Sequence, residues 1–262
     1  MHPGDLSEPL LGMSKETFAK LSNEVDVIVH SGANRSYWDY YQLLRGVNVS
    51  STKELVQMAT VRNIPVHFIS SGGVLSLAGD DAEATDNISV SAYKPPVDGS
   101  MGYLASKWAS EAYLENAAKH LGMPVYIHRV TPPENNTGVP DAEMIEDFKQ
   151  VALKMKALPA GQGWNGSVDL IAVKPLAQRI TESVLSEDST EATSAPEFVQ
   201  YASDVQVRMR DVMQGLEGVK LGEDFARMAP HKWVGKAKDM GIGYHFASQE
   251  FQLGGGELVL RR

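Results

Sequence analysis

A phenol and an amine stand one helical turn apart in the stretch Gly102-Tyr103-Leu104-Ala105-Ser106-Lys107-Trp108-Ala109-Ser110-Glu111. Side chains four residues apart lie on one face of an α-helix, so Tyr103 and Lys107 can enter one pocket together. An ammonium beside a phenol stabilises the phenolate. It lowers a pKa that is about 10 in water, which makes the tyrosine a proton donor or acceptor near neutral pH. The same spacing recurs by chance on amphipathic helices, so the pair takes its meaning from the elements before it.

Those elements alternate. Ser14 to Asn23 reads as a short helix with Ser14 as its cap. Val25 to His30 is a β-branched run that stops at the small residues Ser31-Gly32-Ala33, the pattern of a buried parallel strand whose carboxyl end opens into a cleft. Ser36 to Gly46 fits a short helix or a loop, and Val47 to Arg62 a helix. Pro65 to Ser70 is a second strand, ending at Ser71-Gly72-Gly73. Ser76 to Ser100 is polar and reads as a surface loop. The helix of Tyr103 and Lys107 then runs from about Met101 to His120, with Gly122 and Pro124 ending it, and Val125 to Val130 is the third strand. This order predicts an α/β fold, a parallel sheet with flanking helices and right-handed crossovers. Ligands of such sheets bind beyond the carboxyl ends of the strands, where Ser31 to Asn34, Ser70 to Gly73 and Thr131 to Asn135 would gather with Tyr103.

Further on, Asp141 to Leu158 reads as a helix. Val168 to Val173 leads into another that ends near Leu185, and Ser186 to Pro196 is an exposed connection. Phe198 to Tyr201 fits a strand, while Val205 to Gly215 and Pro230 to Met240 fit helices. This part is expected to form a small mixed cap that shapes a substrate site. The expected division is residues 1–135 as a partial catalytic core and 136–262 as a substrate-shaping region interleaved with the last core strands.

Composition narrows the function classes. The 262 residues carry a net charge of -9, which argues against a broad nucleic-acid footprint. There is no cysteine, which removes disulfides, cysteine nucleophiles and thiolate metal sites and fits a reducing compartment. No signal pattern opens the chain and no run approaches 18 apolar residues, so a cytoplasmic protein without a membrane partner is expected. His2, His67, His120, His128, His231 and His245 show no ligand spacing, so no metal is predicted, and His30 reads as packed at its strand end.

Several blocks carry a family likeness. Tyr103-x-x-x-Lys107, with Ile69-Ser70-Ser71-Gly72-Gly73-Val74 at a strand end before it, resembles the extended short-chain dehydrogenase/reductase superfamily and its Rossmann-like fold. Val27 to Ala33, Leu44-Arg45-Gly46-Val47-Asn48-Val49 with Thr52-Lys53-Glu54-Leu55, Tyr103 to Glu111, Ile127-His128-Arg129 and Trp164 to Leu170 together resemble thioester reductase domains. These end nonribosomal peptide synthetases and, especially in fungi, polyketide synthase hybrids. The resemblance implies NADPH-dependent reductive release of a thioester from a phosphopantetheine-bearing carrier protein, as aldehyde or alcohol. By the same resemblance Ser71 holds the substrate carbonyl, Tyr103 passes it a proton, and Lys107 lowers the Tyr103 pKa and binds the nicotinamide ribose. Ser31, Gly32, Ala33 and Asn48 fall at cofactor positions, Asn48 also reading as a residue near a helix start. Ser70 reads as a structural residue at the strand end.

Two departures qualify what the likeness implies. The superfamily's G-x-x-G-x-x-G turn after its first strand is absent, and His2-Pro3-Gly4-Asp5-Leu6 resembles the segment after the family's third strand. The first three strands and their helices are therefore expected to be missing, NADPH binding to be impaired, and the edge of the Val25 to His30 strand to be open to another chain or to a second copy as a homodimer. After Arg129 the family continues with proline, small polar residues and glycine, whereas here Val130-Thr131-Pro132-Pro133-Glu134 follows. Both departures suit the alternative chemistry of the same family, a Dieckmann cyclisation to a tetramic acid without hydride transfer. An inactive remnant acting as a docking module is the third reading.

Overall fold

Ser14 starts the first helix by accepting the Thr17 N–H at 3.2 Å, which satisfies one of the four donors a helix leaves unpaired at its start. The helix, α1, is Lys15–Glu24. In the computed structural model the described residues are 2–35, 39–78, 88–94, 102–130, 133–134, 151–160, 164–165, 167–186, 195–201, 205–208, 225–240, 251–254 and 257–260. The first strand, β1, is Ile28–His30 and so starts later than the sequence pattern suggests. The reason is local: Val25 closes α1 through its amide, and the Arg62 guanidinium takes the Val25 carbonyl at 2.9 Å and the Asp26 carboxylate at 2.9 Å.

Two further strands, β2 (Val66–Ser71) and β3 (Val125–Val130), follow as expected, and β4 is Glu197–Tyr201. All four run parallel in the order β1-β2-β3-β4, with Ile28 opposite Val66, Ser71 opposite Val130 and Val130 opposite Tyr201. Between β2 and β3 runs α4 (Gly102–Leu121), which ends as predicted at Gly122, whose φ of +61° suits a residue without a side chain. The core lies where β1 to β3 meet α1, α3 (Ser51–Thr60) and α4, and is built from Ile28, Val66, Phe68, Val125, Ile127, Val56, Ala59 and Leu114.

The stretch expected as one helix from Val47 to Arg62 is three pieces: α2 (Tyr41–Arg45), a single π-helical turn at Gly46–Ser50, and α3. Hydroxyls hold the wide turn open. Thr52 Oγ1 donates to the Asn48 carbonyl at 2.9 Å, Ser110 Oγ reaches the same carbonyl from α4 at 3.0 Å, and Ser51 Oγ donates to the Val47 carbonyl. Such turns accumulate at functional sites because they turn a side chain inward that a regular helix would point elsewhere. Here that side chain is Asn48, which is buried.

Contacts divide the chain into two units, residues 1–130 with 176–201, and residues 131–175 with 202–262. In the second, Ser167–Ala172 pairs antiparallel with Val205–Arg208 and parallel with Pro133–Glu134. Val205-Gln206-Val207-Arg208 alternates with a period of two, and pairing with Ser167–Ala172 makes it a strand, not the start of the expected helix. The remaining residues of that expectation, 209–215, lie outside the described residues. The helix expected up to Leu158 is helical over 151–155 and then stops, because Lys156 adopts a φ of +48° and Ala157–Pro159 pairs with Ala226–Met228; 141–150 lie outside the described residues. Trp233, on the helix Pro230–Asp239, is fully buried and donates its indole N–H to the Ala157 carbonyl at 2.8 Å.

Candidate active site

Tyr103 and Lys107 sit in the first turns of α4, and both are buried. The Tyr103 ring packs with Leu44, Leu77 and Leu104. The Lys107 ammonium donates to the Ile69 carbonyl of β2 at 2.7 Å and lies 4.7 Å from the Phe68 ring centroid and 5.8 Å from that of Tyr103. Burial of the charged form lowers its pKa to about 8; the Glu111 carboxylate works against that fall, and the Arg35 cation adds to it. An ammonium has three N–H donors, and only the one on Ile69 has a hydrogen-bond partner among the described residues.

The neighbouring serines of β2 separate by the alternation of the strand. Ser70 faces α4 and donates to Glu111, so the side chain of Ser71, last in the strand, leaves the other face at the carboxyl edge. Ser71 Oγ accepts the Gly73 N–H at 3.2 Å. A side chain at Gly73 would lie 3.2 Å from Leu104, next to Tyr103, and 3.4 Å from Ser71 Oγ, so the bare glycine lets α4 close on the serine loop. The sequence-derived trio is tied to one edge: Lys107 reaches from α4 to the Ile69 carbonyl, two residues before Ser71, and Ser71 and Leu104 lie on either side of Gly73.

The four cofactor positions differ in what they do. Ser31, Gly32 and Ala33 follow the carboxyl end of β1, with Ser31 and Gly32 exposed and Ala33 half-buried. A Cβ on Gly32 would lie 2.6 Å from Leu6. Asn48 is fully occupied as a brace: its Oδ1 accepts the Asn34 N–H at 2.7 Å, and its Nδ2 donates to the Asn34 carbonyl and to Ser106 Oγ, each at 2.9 Å. It thus ties the segment after β1 to α4, and any service to a cofactor runs through the segment it holds. His30 is packed, as expected, against Thr52 and Ser51, and burial, with a smaller push from Lys107, lowers its pKa to about 4.

A second layer behind this edge has no motif of its own in the sequence. Glu111 and Arg129 pair with both side chains wholly buried, Nη2 to Oε2 at 2.7 Å. Arg129 also donates to the Ile88 carbonyl at 2.8 Å, Trp108 donates to the Val90 carbonyl at 3.0 Å, and Glu115 accepts the Val90 N–H at 2.9 Å and the Ser91 hydroxyl at 2.8 Å. The signal that could have found Glu111 is its place four residues beyond Lys107, on the same buried helix face.

Gly102 sets where α4 starts. A Cβ there would stand 2.2 Å from the Asp39 carbonyl oxygen and 2.6 Å from the Tyr41 amide nitrogen, both backbone atoms of the segment entering α2. Gly102→Ala is therefore expected to push α2 off the first turn of α4, destabilising the chain by about 1–3 kcal/mol and displacing Tyr103. Thermal melting and a crystal structure of the variant check this, and an unchanged melting temperature would contradict it.

Among the described residues no helix is long and apolar enough to cross a membrane, and no group of three or more His, Asp or Glu is arranged to hold a metal ion. A parallel sheet flanked by helices, with Tyr-x-x-x-Lys on the helix over its carboxyl edge, defines a Rossmann-like fold of the short-chain dehydrogenase/reductase type. The sequence profile of the male sterility protein family, a family of NAD-binding domains, matches residues 1–180, and the chain belongs to that family. It is 44% identical over 98% of its length to the hybrid PKS-NRPS synthetase buaA of Petromyces alliaceus, and 40% identical over 97% to the hybrid PKS-NRPS synthetase traA of Penicillium crustosum. The chain spans 6% of the length of each of these relatives. Its fold is similar to that of the terminal R domain from the myxalamid PKS-NRPS biosynthetic pathway, with a TM-score of 0.70 and 23% identity over 98% of this chain and 65% of that one.

Proposed function

We propose that this chain is a releasing domain that reduces a thioester held on the phosphopantetheine arm of a carrier protein and frees the acyl chain as an aldehyde or alcohol. The observation that carries the reading is the buried Lys107 ammonium, held at the carboxyl edge of β2 beside Tyr103, with one of its three N–H donors taken by the Ile69 carbonyl among the described residues. The hybrid synthetases it resembles are the second support.

The residues present fit the ribose end of a nicotinamide cofactor. A buried ammonium whose other two N–H groups meet no hydrogen-bond partner among the described residues is a seat for two sugar hydroxyls, and Ser31, Gly32 and Ala33 follow the carboxyl end of β1. NADPH, when bound, supplies the hydride that adds to the thioester carbon. Ser71 donates a hydrogen bond to the carbonyl oxygen, keeping its own proton, and steadies the negative charge that grows there. The Tyr103 phenol is the proton donor, and the Lys107 cation beside it makes the phenolate left behind less costly. Breaking the carbon–sulfur bond returns the pantetheine thiol and leaves the aldehyde.

The pyrophosphate end fits poorly. No G-x-x-G-x-x-G turn occurs in this sequence to meet a pyrophosphate with backbone amides. The chain by itself is therefore expected to bind NADPH weakly or not at all, and a calorimetric titration giving micromolar or tighter binding would contradict this. The run Val130-Thr131-Pro132-Pro133-Glu134 after Arg129, in place of the family's proline, small polar residues and glycine, favours the second reading, Dieckmann cyclisation, in which Tyr103 and Lys107 move a proton and nothing is reduced.

Incubating the chain with a pantetheine thioester, with and without millimolar NADPH, separates the readings. Aldehyde or alcohol formed only with NADPH supports reduction. A cyclised product formed equally without it supports the alternative, and no release of any kind defeats both.

A further inference from the structure

We propose that Glu111 is a positioning residue of this site: clamped by Arg129 and Ser70 one turn along α4 from Lys107, it is the buried anion that holds the Lys107 ammonium in place beside the Tyr103 phenol. The inference rests on the reading of Tyr103 and Lys107 as the proton-transfer pair.

Two ties join α4 to consecutive residues of β2. Lys107 reaches the Ile69 carbonyl at 2.7 Å, and the next residue, Ser70, gives its hydroxyl to Glu111. From β3, Arg129 completes the clamp with Nη2 at 2.7 Å and Nε at 3.2 Å from Glu111 Oε2. Arg129 and Glu111 are fully buried and Lys107 nearly so, which makes a row of cation, anion and cation in a core from which water is excluded. With Glu111 in the middle, the charge of Arg129 is answered and one net positive charge is left, on Lys107. Remove the carboxylate and the buried charge of Arg129 is left unanswered, while the loss of the Lys107 proton is no longer opposed.

Among the described residues that act on Lys107, Glu111 is the anion. Arg35 after β1 is a cation, His30 on β1 is neutral above about pH 4, Phe68 and the Ile69 carbonyl on β2 are uncharged, and Tyr103 on α4 is the group being served. Burial pushes the Glu111 carboxyl up from its ordinary value, and Arg129 and Ser70 pull it back down. The clamp is what keeps the anion charged, and its charge in turn opposes the loss of the Lys107 proton.

The test reads Lys107 without turnover. The side-chain amine of Lys107 is titrated by NMR in the labelled whole chain, its signal assigned by its absence in Lys107→Met. The wild-type midpoint is expected at about 8, lowered from the ordinary 10.5 by burial. Glu111→Gln is expected to lower it by about one unit, a tenfold loss of proton affinity. Because a broken buried pair can unfold a protein, Glu111→Gln/Arg129→Gln, which leaves no orphaned charge, and Ser70→Ala, which removes one hydroxyl, are read in parallel. A downward shift in whichever of them folds supports the proposal, and an unmoved midpoint in any folded Glu111 variant, or in Ser70→Ala should neither Glu111 variant fold, overturns it. A shifted midpoint in a chain that releases no thioester would sink the functional reading and leave this one standing.

Discussion

Tyr103→Phe is expected to lower the turnover of the proposed thioester release by about 10²–10⁴, because the variant keeps the ring among Leu44, Leu77 and Leu104 and loses the hydroxyl that passes the proton. Lys107→Met should be as inactive but more stable than the parent. The folded chain holds the Lys107 proton with a pKa of about 8 against an ordinary 10.5, which corresponds to roughly 3 kcal/mol spent on keeping the charge buried. Losing the Ile69 hydrogen bond and the contact with Phe68 gives back about 1–2 kcal/mol of that. The sign follows from proton counts. Between about pH 8 and 10.5 the unfolded chain binds the proton and the folded chain does not, so the destabilisation is complete below pH 8 and fades as pH rises. Calorimetric melts at pH 7 and pH 10 should show the advantage of Lys107→Met shrinking at the higher pH. A Lys107→Met chain less stable than its parent at pH 7 would contradict the account.

Much of the site frame is legible in the sequence because it depends on local rules. Ser14 caps α1, Gly122 ends α4, and the apolar runs that stop at Ser31-Gly32-Ala33 and Ser71-Gly72-Gly73 become β1 and β2. The Tyr103–Lys107 pair follows from helical spacing alone. What escapes is set by partners far along the chain. The π-helical turn at Gly46–Ser50 is held in part by Ser110, 62 residues beyond the Asn48 carbonyl it bonds. The family likeness already reads Ser70 as structural; what escapes is its partner, the buried Glu111 held by Arg129, which lies 41 residues further along the chain. Lys156 in a left-handed conformation ends a helix that its neighbours would continue, and Val205–Arg208 is a strand only because Ser167–Ala172 lies beside it. Local propensity is a weak prior wherever a tertiary partner can outbid it.

The chain is also expected to unfold in mild acid, through histidines that take no part in the chemistry. On the face of the sheet away from Ser70, His67 Nδ1 meets His128 Nε2 at 3.0 Å, and His128 Nδ1 meets the Tyr201 hydroxyl at 2.8 Å, a chain of three rings across β2, β3 and β4. His67 is stacked on Tyr126 and its Nε2 has no hydrogen-bond partner among the described residues. Burial lowers His67, His128 and His30 each from 6.5 to about 4, with His67 also opposing a charge on His128. A folded-state pKa below the unfolded one means that the unfolded chain takes up protons the folded chain refuses. Stability from these groups is therefore complete above about pH 6.5 and is lost as pH falls towards 4. At about 1.4 kcal/mol per unit of pKa, three such histidines withdraw several kcal/mol by pH 5, a large share of the 5–15 kcal/mol typical of a folded domain. Circular dichroism melts should show a fall of more than about 10 °C between pH 7 and pH 5. His128→Gln, which can keep a hydrogen bond to Tyr201 but cannot take a proton, should lessen that fall. A melting temperature flat from pH 7 to pH 5 would show that these rings accept protons without leaving the core, and the buried, neutral His67–His128 contact would then have to be abandoned.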